Sequence, residues 1–175
     1  MSAGQVLALE GPNGSCKTST LRMLAGLLPQ AEGTISFQSD HDVTDAEERG
    51  RMVAWLGHQD GVKAQLSVSE NAAFFGTLNG TSTTVAEALQ RVGLARAADW
   101  PAHYLSAGQR RRLALARLLL SNRPLWLLDE PHAALDAEGR ALVTSLIKEH
   151  CADAGIAIIA THEAPALPCA RLQLS

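Results

Sequence analysis

The sequence holds too few cysteines to build a disulfide framework. Cys16, Cys151 and Cys169 are far apart and match no metal-ligand spacing, a pattern that fits a reducing compartment. Its six histidines are scattered, with no pair at helical spacing, so a structural metal is not expected. Aromatic residues make up only 4% of the chain and the formal net charge is −3. With neither stacking platforms nor a basic surface, no nucleic-acid partner is expected. Met1–Leu9 has no basic stretch leading into a long apolar one, so no signal peptide is expected. No apolar run approaches the roughly 20 residues of a membrane-crossing helix, and the chain is not expected to span a bilayer itself.

What is present is a 46% hydrophobic content over 175 residues, enough to bury the core of one domain. Gln5–Glu10 is a short apolar run that meets a glycine-rich loop and reads as a buried strand. Lys17–Leu28 follows, with Leu21, Leu24 and Leu28 at the spacing of one buried helical stripe, and Pro29 and Gly33 as stop signals. Gly33–Phe37 and Met52–Leu56 read as strands, with Ser39–Glu48 as an acidic, polar connection. Helices are expected over Ser67–Leu78, Thr84–Val92, Ala107–Leu120 and Ala137–Ala152, with a turn at Asn79-Gly80 and a loop over Pro101–Ser106. Leu125–Leu128 and Ile156–Ala160 read as central parallel strands. The order strand, glycine loop, helix opens a doubly wound α/β domain.

The first chemical motif is Gly11-Pro12-Asn13-Gly14-Ser15-Cys16-Lys17-Thr18, followed by Ser19. It follows the phosphate-loop pattern G-x-x-x-x-G-K-[ST] between a strand and a helix. Gly11 and Gly14 allow the backbone to turn and aim its N–H groups inward, and the new helix adds its positive end. Lys17 is spaced to reach the β and γ phosphates of ATP, and Thr18 to give its hydroxyl oxygen to Mg²⁺. Cys16 departs from the pattern, which has glycine before the lysine. Its side chain is expected to weaken ATP binding by crowding or backbone strain, or else to point away with little effect. A glycine turn that opens a helix also has a purely structural reading.

Leu125–Glu130 ends a buried strand on two carboxylates, at the edge where open α/β sheets bind ligands. Asp129 fits a Mg²⁺ anchor and Glu130 a general base that activates water. Leu105-Ser106-Ala107-Gly108-Gln109 then precedes a helix rich in arginine. In this segment the chain resembles the ABC ATPase family, whose signature reads LSGGQ; Ser106 also suits a plain helix N-cap.

The resemblance implies an ABC-type P-loop NTPase fold: a mainly parallel central sheet flanked by helices, as a single domain over 1–175 with a helical subdomain over about 61–122. It implies that Ser106, Ala107, Gly108, Gln109 and Asp136, the last in Ala134-Leu135-Asp136, contact nucleotide held by a second copy. It further implies that Gln59 serves the γ-phosphate site and Mg²⁺, and that His162 contacts the γ-phosphate. A homodimer in the ATP-bound state follows.

Several stretches resemble the ATP-binding subunits of cytochrome c maturation haem exporters: Glu10–Thr18, Trp55–Lys63, Leu66–Asn71, Leu105–Leu120 and Pro124–Glu138. That implies ATP hydrolysis coupled to haem export, integral membrane partners of the CcmB/CcmC-like kind, and a peripheral position at the cytoplasmic face of the bacterial inner membrane. No aromatic residue precedes Gly11, so a shortened set of N-terminal antiparallel strands, no adenine-stacking platform and an exposed sheet edge are expected. Two other readings share these motifs: a nucleotide-binding scaffold with little activity, and the ATPase of another ABC exporter.

Overall fold

The computed structural model describes residues 1–12, 14–38, 42–79, 83–162 and 165–175, the side chains of 77–79 excepted. Asn13, His41 and Gly80 lie outside the described residues. Two compact units are formed, one from Met1–Trp55, Arg123–Glu130 and Lys148–Ser175, the other from Leu56–Asn122 and Pro131–Ile147.

The first unit is built on a five-stranded sheet of order β4-β5-β6-β1-β7. Its strands are β1 (Val6–Glu10), β4 (Val53–Leu56), β5 (Leu125–Asp129), β6 (Ile156–Ala160) and β7 (Ala170–Gln173). β1 pairs in parallel with both β6 and β7, and β5 pairs in parallel with β6. Every residue of β5 is buried, as a strand inside a parallel sheet requires. Helix α1 (Lys17–Leu24) packs against β5 and β6. Its Leu21, fully buried, joins Leu9, Leu127 and Ile158 in one apolar cluster, where truncation to alanine would cost about 2–5 kcal/mol.

Several elements differ from the sequence expectation, each for a local reason. α1 ends at Leu24 and does not run to Leu28. Gly26 turns left-handed at φ +73, its N–H bonds Met23 O, and the Leu27 N–H bonds Arg22 O at 2.9 Å. This paired closure ends helices in which glycine follows the cap. A Cβ on Gly26 would stand 2.4 Å from Ala46 O, so the stop signal is Gly26, ahead of Pro29 and Gly33. The strand expected over Gly33–Phe37 is reduced to β2 (Phe37–Gln38), paired antiparallel with β3 (Asp42–Val43). The polar connection after it also holds α2 (Ala46–Arg51), capped by the Asp45 carboxylate, which accepts from the Glu48 N–H. β7 carries no apolar pattern and all four of its residues are exposed; it lies at the edge beside β1, where Arg171 and Glu10 are 3.6 Å apart.

The second unit contains α3 (Val68–Asn79), α4 (Val85–Arg91) and α5 (Ala107–Leu119), which pack on one another. α6 (Ala137–Ala152) matches its expected range. α4 and α5 each begin with a reciprocal cap, Thr84 with Glu87 and Ser106 with Gln109. Ser67 and Glu70 exchange the same pair of bonds before α3. One sequence pattern, Ser or Thr followed three residues later by Glu or Gln, thus starts three helices.

His150, which its sequence context marks as a surface residue, is half-buried and stacked on Trp126, with ring centroids 4.0 Å apart and planes 8° from parallel. Its Nε2 lies 3.2 Å from Pro124 O and 3.3 Å from Ile156 O. Burial lowers its pKa, against smaller raising contributions from the Ile156 and Pro124 backbone and from Asp153. The unfolded chain therefore binds this proton more readily than the folded one, so the residue's contribution to stability is full above the ordinary histidine range and is lost as pH falls through about 6.5. Urea midpoints measured at pH 7.5 and 5.5 should show a larger loss for the parent than for His150→Gln; equal losses would show that the ring does not titrate against folding.

Candidate nucleotide site

Three strands reach the carboxyl edge of the sheet side by side, and each hands its chain to a motif. β1 runs into the glycine-rich loop, β5 into Glu130, and β6 into Thr161 and His162. The register pairs Leu9 and Asp129 each with Ala160, so the strand ends are level.

The loop has a compact internal order. Gly11 is at φ +156, and a Cβ there would lie 2.5 Å from both Leu174 O and Ser15 Oγ, so only glycine fits. Ser15 is buried, and its hydroxyl has no hydrogen-bond partner among the described residues. Pro12 and Gly14 are exposed, and Ser19 is half-buried on α1. Lys17 is 8% exposed and donates from Nζ to Gly11 O at 2.7 Å and Pro12 O at 2.9 Å. Its ammonium is thereby kept inside the loop, with its charge balanced by carbonyl dipoles.

Cys16 occupies the N-cap of α1 in the left-handed region, at φ 60 and ψ 17. Side chains other than glycine pay about 1–2 kcal/mol there, which is the reason the pattern has glycine at this position. The thiol is exposed, with Sγ 3.7 Å from Gly14 O. Of the two effects expected from Cys16, the backbone strain is the one visible in the fold.

Thr18 and Asp129 meet across the sheet edge. The Thr18 hydroxyl donates to Asp129 Oδ1 and Oδ2 at 3.1 and 3.0 Å, and Asp129 is 4% exposed. Glu130 follows at φ 47, a left-handed turn that swings its carboxylate off the strand line. Its N–H donates to Ala160 O at 2.9 Å, and its Oε1 lies 3.3 Å from His162 Nε2. His162 is exposed. Thus Gly11, Pro12, Gly14–Ser19, Asp129, Glu130 and His162 all belong to the first unit.

The remaining predicted residues belong to the second. Ser106 caps α5, its hydroxyl accepting from the Gln109 N–H at 3.2 Å while Gln109 Oε1 accepts from the Ser106 N–H at 2.9 Å. Ser106 and Ala107 are exposed, and Gly108 and Gln109 half-buried. A Cβ on Gly108 would come within 3.1 Å of Ala134 O, whose residue is itself left-handed at φ 61. The Asp136 carboxylate accepts from the Gly139 N–H at 2.8 Å. That bond, foremost, and Arg112 lower its pKa.

Gln59 is exposed, in a bend between Gly57 and Asp60. Sequence reasoning missed what holds this bend. Arg111 donates to Gly57 O and Asp60 Oδ1, and Arg117 to Asp60 O and Gly61 O. It also missed Asn71, 4% exposed, whose amide bonds the backbone of Lys63, Leu66 and Ser67. The available signal was a polar residue on the apolar face of an expected helix.

Residues 1–133 match the family described as ABC transporter. The chain is 50% identical over 162 residues to the cytochrome c biogenesis ATP-binding export protein CcmA of Rhodopseudomonas palustris (strain BisB5), covering 92% of this chain and 80% of that protein. A solved Pyrococcus furiosus chain described as an ABC transporter ATP-binding protein shares the fold at a TM-score of 0.84, with 24% identity over 99% of this chain and 86% of the other. The ATP-binding cassette MJ0796, in a dimeric post-hydrolysis state bound to ADP and Pi, matches with a TM-score of 0.76 and 25% identity over 93% of this chain and 77% of its own. A family match through most of the chain, together with this degree of identity to a CcmA protein, places the protein in the ABC transporter family, as an ATP-binding and ATP-hydrolysing subunit of the CcmA kind.

Proposed function

We propose that this chain powers the haem exporter of cytochrome c maturation from the cytoplasmic face of the bacterial inner membrane, working as a homodimer bound to integral membrane subunits of the CcmB/CcmC-like kind. The observation that carries the catalytic reading is the convergence of Lys17, the Thr18–Asp129 pair and the Glu130–His162 pair on one edge of the parallel sheet. Haem as cargo rests on the resemblance to CcmA proteins, and it is assigned to the complex as a whole.

In this reading Gly11–Ser19 bind the triphosphate. Loop N–H groups and the start of α1 supply donors, and Lys17 exchanges its two carbonyl partners for phosphate oxygens. Mg²⁺ prefers oxygen ligands, and the Thr18 hydroxyl and Asp129 carboxylate, 3.0–3.1 Å apart, offer that donor set; the family resemblance alone adds Gln59 as a ligand. When bound, the ion would neutralise charge on the phosphate oxygens. Glu130 takes a proton from the attacking water, whose oxygen bonds to the γ-phosphorus as the bond to the ADP oxygen breaks. His162 orients the Glu130 carboxylate and faces the γ-phosphate.

Ser106–Gln109 and Asp136 complete the site of the second copy. The exposed Ser106 at the N-cap of α5 offers donors to a γ-phosphate from outside its own chain. ATP then joins the two copies and hydrolysis loosens them, because the closed state binds ATP better than the open one.

In this reading residues 61–122, which hold α3–α5, are the helical subdomain that meets the membrane subunits. A groove of about 290 Å³ lies beside the Gln59 loop, lined by Gly61, Lys63, Leu66, Asn71, Phe74 and Phe75. Phe74 stands 59% exposed at its mouth, an anchor for a partner helix. No described helix is long and apolar enough to cross a membrane. The strained Cys16 favours a second reading, a weakly binding scaffold subunit. Phosphate release by the purified chain, with Cys16→Gly alongside, separates the two.

Three outcomes are expected. Glu130→Gln should lower kcat by about 10²–10⁴-fold and form a stable dimer with ATP on a sizing column; monomers at saturating ATP would refute the paired site. Thiol reagents should modify exposed Cys16 ahead of Cys151, whose thiol is pushed up by burial, and saturating ATP should slow Cys16 labelling; equal rates with and without ATP would count against the loop as the binding site. Phe74→Asp should leave phosphate release by the isolated chain near the parent rate while abolishing co-purification with the membrane subunits; retained co-purification would rule the groove out.

A further inference from the structure

Arginines of α5 grip the Gln59 loop at both of its ends. Arg111 is 2% exposed, and its Nη1 donates to Gly57 O at 2.7 Å and to Asp60 Oδ1 at 3.0 Å. Arg117, farther along the helix, donates from Nη1 to Asp60 O at 2.6 Å and Gly61 O at 3.2 Å, and its guanidinium lies 3.8 Å from the Phe75 ring centroid. Gln59 sits between the clamped residues with its own side chain exposed. The same helix starts at Ser106, and Arg112 on it approaches Asp136 at 3.5 Å and Glu138 at 3.3 Å.

General stability does not explain a buried guanidinium at Arg111. Removing such a charge from water is costly, and a well-packed apolar side chain commonly serves stability as well or better. What an arginine adds is a planar, permanently charged group whose N–H donors have fixed directions. At Arg111 one nitrogen, Nη1, holds both a backbone carbonyl before Gln59 and a carboxylate after it.

We infer that Arg111, backed by Arg117, is a positioning residue for Gln59. It makes the Gln59 loop and the signature helix one mechanical piece, so a push on the loop reaches Ser106 through α5. This rests on the roles proposed above for Gln59 and Ser106.

The test uses the full chain carrying Arg111→Ala, Arg111→Lys or Asp60→Asn, each alone and combined with Gln59→Ala. In Arg111→Ala, amide hydrogen exchange over residues 57–61 should quicken at least about tenfold while β1, β5 and β6 keep parental rates. The ATPase kcat should fall about tenfold with little change in KM, and Gln59→Ala should add almost nothing on top, as expected for two residues acting through one contact. Arg111→Lys should recover part of the loss, since it keeps the charge without the fixed donor directions. Unchanged exchange over 57–61, or kcat losses that multiply, would overturn the inference. Should Arg111→Ala fail to fold, Asp60→Asn carries the same exchange test, because it removes only the charge of a half-buried partner. Parental kcat in Gln59→Ala alone would instead unseat the role given to Gln59, and exchange would still decide the clamp.

Discussion

The parallel pairing of β5, β6 and β1 is the constraint on which the chemistry of the first unit depends. Leu9 and Asp129 both lie opposite Ala160, so three segments distant in sequence end at one level. A shift of a single residue in any of them would turn its side chains to the opposite face and part Thr18 from Asp129. The register is held by burial: β5 is fully enclosed and β6 nearly so. The polar site is therefore positioned by its apolar foundation, and the loop hydrogen bonds refine a placement already made.

Backbone strain marks several of the motif residues. Among the described residues, the left-handed residues other than glycine are Asn122 and Ala154, just after α5 and α6, and Cys16, Glu130 and Ala134, at the motifs; each of these last three costs of order 1–2 kcal/mol. Each stands where the chain must change direction within one residue: into α1, off the end of β5, and beneath Gly108. The surrounding structure sustains these turns because their neighbours are fixed by sheet pairing, helix capping or close packing. The second unit uses a different device, in which buried Arg111 and half-buried Arg117 of α5 hold the loop that follows β4.

Most of the fold was legible because its elements carry patterns set by local chemistry. The apolar runs of β1, β5 and β6 marked those strands nearly to the residue, Ser106 was readable as an N-cap, and the spacing of Gly11, Lys17 and Thr18 marked the phosphate loop. The end of α1 was misjudged because Pro29 is a louder signal than Gly26, although the close approach of Ala46 O makes Gly26 decisive. β7 was not legible, since an edge strand with every side chain exposed needs no apolar alternation. The tether of Gln59 was invisible for another reason: a run of three arginines does not say which of them faces inward, and only the fold reveals that Arg111 is buried.

The stacked pair of Trp126 and His150 has a consequence for how this sequence can drift. A Cβ on Gly155 would lie 2.3 Å from the His150 ring, so the imidazole stays on the indole only while position 155 is bare. Trp126, His150 and Gly155 sit on a strand, a helix and the turn between that helix and the next strand, yet they occupy one volume. Replacing any one of them alone leaves either a collision or a hole, so homologous chains should exchange the three as a set, and a sequence with one of them altered should carry a compensating change at another.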